Sequence, residues 1–187
     1  MIISDTFFAP TRADWRAWLE ANHATAAEIW LVTYVKRAGT PSVSYNDAVE
    51  EALCFGWIDS IRKGLDADRH AQRFSPRKKG SGYSQTNRER MARLLAAGRL
   101  MPALAAEAER LAQEPFVAPP DILEALRAEP AAWAFFQSTS PAYQRIRIAY
   151  VDHARPRPGG EFEKRLAHLV AMSAKGKQFG NNIESYY

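Results

Sequence analysis

Three short blocks between residues 54 and 87 hold most of the residue types that do chemistry. They are Gly56-Trp57-Ile58-Asp59-Ser60, Arg73-Phe74-Ser75-Pro76-Arg77-Lys78, and Tyr83-Ser84 followed by Asn87. Arg73 and Arg77 offer guanidinium forks suited to a carboxylate or phosphate, with Lys78 as a further positive charge. Trp57 and Tyr83 supply aromatic walls. Ser84 and Asn87 open a helix whose first amides and positive dipole end favour an anion. Asp59 sits within an apolar strand, where an unpaired carboxylate is costly, so it must be paired, exposed or catalytic. Its expected role is to orient an arginine. Together the blocks read as a site for an anionic small molecule, with single-stranded nucleic acid as the alternative. A structural reading stands beside these. In it Arg73 and Arg77 pair with Asp59, Asp66 or Asp68, Trp57 is core, and Arg88, Arg90 and Arg93 form the solvated face of a helix.

The charge distribution points to the same span. Between Arg62 and Arg93 ten Lys/Arg stand against three Asp/Glu, although the whole chain is only +4, which leaves the rest net negative by three. Other chemistries find no support in the spacing. The four histidines fall in four separate elements, with no HExxH or CxxC beside them, so no metal site is expected. No GxSxG elbow is present, and Ser60 and Asp59, as strand neighbours, point to opposite faces. Lys79-Gly80-Ser81-Gly82 is neither a Walker loop nor a dinucleotide fingerprint. No catalytic residue and no cofactor is assigned; should the chain be an enzyme, Asp59 is the candidate acid/base. Cys54 is the single cysteine, which excludes an intramolecular disulfide, and its apolar neighbours make it a buried thiol.

The elements that must position these residues are legible from caps and periodicity. Thr11 with Asp14 forms a capping box ahead of a helix bearing Trp15, Trp18 and Leu19. Ile29–Val35 is a strand, broken at Gly39-Thr40-Pro41. Ser44 caps a helix with Ala48, Ala52 and Phe55 inward, closed at Gly56. Trp57–Arg62 and Arg69–Ser75 form a hairpin around the long loop 63–68. Beyond Gly80–Gly82 the pattern is helical throughout. Helices start at Ser84, near Met101, at Pro120, around Trp133-Phe135-Phe136, at Ser140-Pro141 and around Phe162-Leu166-Leu169-Val170. The expected fold class is therefore α+β, a small antiparallel sheet of about three strands with helices, followed by an all-helical C-terminal half. Residues 1–80 form the α+β part, 83–175 the helical part, and 176–187 a frayed tail. No apolar run approaches the length of a membrane helix. The opening MIISDTFFAP carries Asp5 where a signal peptide is apolar, so a cytoplasmic protein is expected.

The stretches Ala52–Ser60 and Arg73–Lys78, with Tyr83, Ser84 and Asn87, resemble the YdeI/OmpD-associated proteins, which are labelled bacteriocin-protection proteins. The resemblance extends over nearly the whole chain, including Pro120–Leu126 and the helical end. It implies a bacterial protein that protects against bacteriocins or cationic peptides and associates with an outer-membrane porin, and it implies no enzyme activity. Two positions depart from the family pattern. Tyr83 stands where Trp is usual, and Glu161-Phe162-Glu163 precedes Lys164-Arg165 where a Glu-Thr-Arg step is common.

Overall fold

A computed structural model describes residues 2–180 in two compact units, Met1–Gln113 and Glu114–Tyr187. The seven residues 181–187, most of the expected C-terminal tail, lie outside the described range.

The first unit is built on a four-stranded sheet of order β1-β2-β4-β3. Its strands are β1 (Thr6–Phe8), β2 (Ile29–Tyr34), β3 (Trp57–Gly64) and β4 (Arg69–Pro76). The sheet has one strand more than expected and is mixed, because β1 runs parallel to β2 with Phe7 beside Leu31. Three residues are too few to show a two-residue period, so β1 left no mark in the sequence. The hairpin strands also run further than expected. Their loop shrinks to 65–68, organised by the Asp66 carboxylate accepting from the backbone N–H groups of Asp68 (2.9 Å) and Arg69 (2.8 Å).

Helix α1 (Arg12–Asn22) starts at the Thr11–Asp14 capping box and buries Trp15 and Leu19. A one-turn 3-10 helix, Lys36–Ala38, follows β2. Helix α2 (Tyr45–Cys54) is capped by Ser44, whose hydroxyl accepts from Asp47 N–H, and is buried from Ala48 to Cys54. Gly56 ends this segment at φ +72, the left-handed region that only glycine enters without strain. Helices α3 (Gln85–Ala96) and α4 (Pro102–Gln113) belong to this unit too. The first compact unit therefore runs through Gln113. Trp15, Leu19, Leu31, Leu53, Trp57, Phe74, Met91 and Leu94 form the core. Cys54 is a free, buried thiol within it.

The second unit is helical: α5 (Pro120–Arg127), α6 (Pro130–Ser138), α7 (Pro141–Asp152) and α8 (Glu161–Ala174). Prolines occupy the first turns of α5, α6 and α7, where a missing N–H removes no bond. Ile122, Leu126, Phe136, Tyr143, Val151 and Leu169 form its core. Tyr150 is exposed, while Arg147 beside it on α7 is buried. No described helix is long and apolar enough to cross a membrane.

Candidate functional site

Register decides which side chains share a face of the sheet. Leu31 pairs with Gln72 and Ile29 with Phe74, so these four line one face. Asp59 lies opposite Phe74, and the next paired residue on β3 is Arg62, opposite Gln72. One extra residue is thus inserted between Asp59 and Arg62. In a regular strand Asp59 and Arg62 would point to opposite faces; the bulge brings both to the face of Gln72 and Phe74.

That face carries a cavity of about 570 Å³. Its floor is Leu31, Thr33, Gln72 and Phe74; Tyr34, Tyr45, Ala48 and the loop 39–44 wall it, and Lys36 and Arg62 supply charge. The lining contains no acidic residue. A volume of roughly 300–1,000 Å³ is usual for a small-molecule site. Ser42 holds the loop to the sheet by accepting from Tyr34 N–H at 3.0 Å. Tyr45 at the start of α2 donates its hydroxyl to Asp59 Oδ2 at 2.8 Å, tying helix to sheet beside the cavity. Nearly half of Tyr45 is exposed, yet burial of part of the ring and then the Asp59 charge hold its phenol well above the ordinary value, with Arg90 and Arg62 pulling the other way. Arg90 is itself buried and donates to the side-chain carbonyls of Asn87 (2.9 Å) and Asn46 (2.8 Å).

Behind α2 lies a second polar feature that is structural. Glu50 and Glu51 are consecutive and fully buried. Glu51 accepts from Arg12, Arg16 (2.9 Å) and Arg99, and Glu50 from Arg12 (3.0 Å) and Arg93. Burial works to lower the Arg12 and Arg16 pKa values, but the Glu51 hydrogen bonds and charge outweigh it and leave both raised. Burial first, and then the Glu51 charge, push the Cys54 thiol up, which disfavours the reactive thiolate.

The residues picked out by the sequence separate. Trp57 is core: it is 1% exposed, its ring edge meets Trp18 at 5.7 Å, and its Nε1–H donates to the His23 carbonyl. An aromatic so enclosed offers no face to a ligand. Arg73 pairs with Glu28 at 2.5 Å and donates to Ser60 Oγ, on the opposite face from Asp59. Its partner is thus none of Asp59, Asp66 and Asp68; Asp66 pairs with Arg69 and Asp68 with Arg37. Arg77 lies 3.8 Å over the Tyr83 ring and donates to the Ser81 and Gly82 carbonyls. Lys78 is exposed, and Ser84 caps α3 by accepting from Asn87 N–H. Arg90 is buried rather than solvated. None of these residues lines the cavity, and Asp59 reaches its edge through the Tyr45 hydroxyl. Sequence reasoning missed Lys36, Tyr45, Arg62 and Gln72. The clue was present in Gly39-Thr40-Pro41-Ser42, a strand break long enough to form a wall.

The fold and cavity define an α+β protein with a small-molecule-sized pocket on a mixed sheet. The chain belongs to the family described as a domain of unknown function (DUF8412), whose model matches residues 7–107. Residues 115–176 match a second model, described as Bacteriocin-protection, YdeI or OmpD-Associated (OmdA). Each match falls within one of the two compact units. The bacteriocin-protection match therefore covers the helical unit, whereas the blocks at Gly56–Ser60 and Arg73–Lys78 fall in the other family's span. Neither the curated proteins nor the solved structures returned a match.

Proposed function

We propose that the first unit binds a small anionic ligand in the cavity between the sheet and the loop 39–44. The observation that carries this reading is the lining, which brings Lys36 and Arg62 to one pocket without an acidic residue. No described carboxylate pairs with either cation, in contrast to Arg73, Arg69 and Arg37. Hydrophobic walls lower the local dielectric and strengthen attraction to an anion. As the biological role we propose bacteriocin or stress tolerance in the bacterial cytoplasm, supported by the description of the model that matches residues 115–176.

The test is thermal unfolding of the chain with a panel of carboxylates, phosphates and sulfonates, alongside their neutral analogues. At least one anion is expected to raise Tm, its neutral analogue not, and the Lys36→Ala/Arg62→Ala double variant to lose the response. Both residues are exposed, so the substitutions remove no core packing, and the Tm of the unliganded variant checks that it folds. No response to any anion, or an equal response in the double variant, overturns the binding proposal. For the role, a strain lacking the gene should survive bacteriocin challenge less well, and unchanged survival overturns it.

A further inference from the structure

The cavity's chemistry narrows the kind of anion. Phosphate sites are usually built from several converging backbone N–H groups, from a helix N-terminus, or from clusters of arginines. Along the cavity several of those donors are already engaged. Gly39 N–H bonds to the Lys36 carbonyl at 3.3 Å, Val43 N–H to the Ala9 carbonyl at 3.0 Å, and Tyr34 N–H to Ser42 Oγ. Pro41 has no N–H. At the start of α2, Asp47 N–H is capped by Ser44, and the Asp47 carboxylate occupies the first turn, where it offsets the helix dipole. The cationic side chains in the lining are one guanidinium, Arg62, turned to this face by the bulge, and the Lys36 ammonium.

The other lining groups fit an organic body. Leu31, Phe74 and Ala48 are buried apolar residues that meet the cavity. Gln72, 7% exposed, lies in the same cross-strand row as Arg62. Its carboxamide N–H reaches the Ile61 carbonyl of the bulge at 3.4 Å. Two carbonyl oxygens cannot pair, so the amide turns its N–H to Ile61, and no described donor meets the carboxamide oxygen. That oxygen is not enclosed by protein atoms, so it stands open to a donor entering the cavity.

Resting on the anion-binding reading above, we propose that the ligand is an amphipathic organic acid. Its single carboxylate takes the Arg62 fork, its aryl or alkyl body covers Leu31 and Phe74, and it carries a hydroxyl or N–H that donates to Gln72. A planar carboxylate accepts two parallel bonds from one guanidinium, so one arginine is sufficient where a phosphate would leave oxygens unmatched.

The experiment titrates the full chain calorimetrically with phenylacetate, 4-hydroxyphenylacetate, octanoate and the neutral analogue phenylacetamide, and separately with inorganic phosphate, AMP and glucose 6-phosphate. The carboxylates are expected to bind and the phosphates not. Arg62→Ala should weaken carboxylate binding by about 10- to 100-fold, the loss of a charge-assisted contact. In Gln72→Met, of similar volume, the preference for 4-hydroxyphenylacetate over phenylacetate should disappear, a ratio that a merely destabilised protein would preserve. Phosphates binding as tightly as carboxylates overturns this inference and leaves the anion site standing. Binding of neutral analogues as tight as that of the acids, or of none of the probes, defeats both. An unchanged hydroxyl preference in Gln72→Met removes Gln72 from the site.

Discussion

Glu51 offers the sharpest test of how this fold is held together. Its carboxylate is fully buried and receives Arg12, Arg16 and Arg99, contributed by α1 and by the segment after α3. In Glu51→Gln the shape is nearly kept and the charge removed, so three guanidinium groups face a neutral amide. Breaking a buried ion pair from one side destabilises by roughly 3–5 kcal/mol, because the remaining charge is left without compensation. The arginines here are 28%, 33% and 36% exposed and can recover some hydration. The low end, about 3 kcal/mol, is therefore expected. With an m-value of about 1–3 kcal/mol/M for urea, the midpoint should fall by about 1–3 M. Tryptophan fluorescence isolates the first unit, because Trp15, Trp18, Trp30 and Trp57 lie there and only Trp133 lies in the other. A double-mutant cycle separates stranded charge from lost packing. Arg16→Met added to Glu51→Met should recover part of the loss, since fewer cations are left facing the gap. A Glu51→Gln loss below about 1 kcal/mol, within the range of exposed pairs, or strict additivity in the cycle, would refute the reasoning.

Three further outcomes follow from particular contacts. The Glu28 carboxyl lies below its ordinary 4.5, first through the Ser4 hydroxyl and then through Arg73. A depressed carboxylate stabilises fully above its unfolded value and less as pH falls through the folded one, so the Ser4→Ala deficit in urea midpoint should be constant between about pH 6 and 8 and shrink as the pH falls below the ordinary carboxylate range; a deficit undiminished in acid contradicts the assignment. Asp59→Asn should move the Tyr45 phenol down towards its ordinary value without reaching it, since burial remains the larger cause. The difference in tyrosinate absorbance between parent and Tyr45→Phe, titrated in both Asp59 backgrounds, reads this directly, and an unmoved titration denies the coupling. Trp57→Ala should cost about 3–5 kcal/mol as a core truncation, whereas Arg77→Ala, on a half-buried stack, should cost about 1 kcal/mol and leave ligand binding intact; the reverse order would return the site to the surface of β4 and α3.

Much of the local structure was legible because its causes lie within four residues of chain. Thr11 with Asp14, Ser44 with Asp47, Ser84 with Asn87 and Ser140 ahead of Pro141 each announce a helix start, and each cap is made. The hairpin and the helical second unit were legible on the same grounds. The site was not. Arg73 looked free because its partner, Glu28, is 45 residues away. Trp57 looked like a stacking wall because a strand pattern does not say which helix will cover it. Arg62 looked like one more surface charge because alternation without a bulge turns it away from Asp59.

The sequence by itself determined the fold class, the helix starts and the position of the cationic span, since short-range sterics, capping and apolar periodicity act along the chain. Only the tertiary structure decided which of those charges are neutralised. Ion pairing, register and burial depend on distances between segments 30 or more residues apart, such as the separation of 39 between Arg12 and Glu51. The same long-range packing that consumed Arg73 in an ion pair and Trp57 in the core left Arg62 and Gln72 facing a cavity.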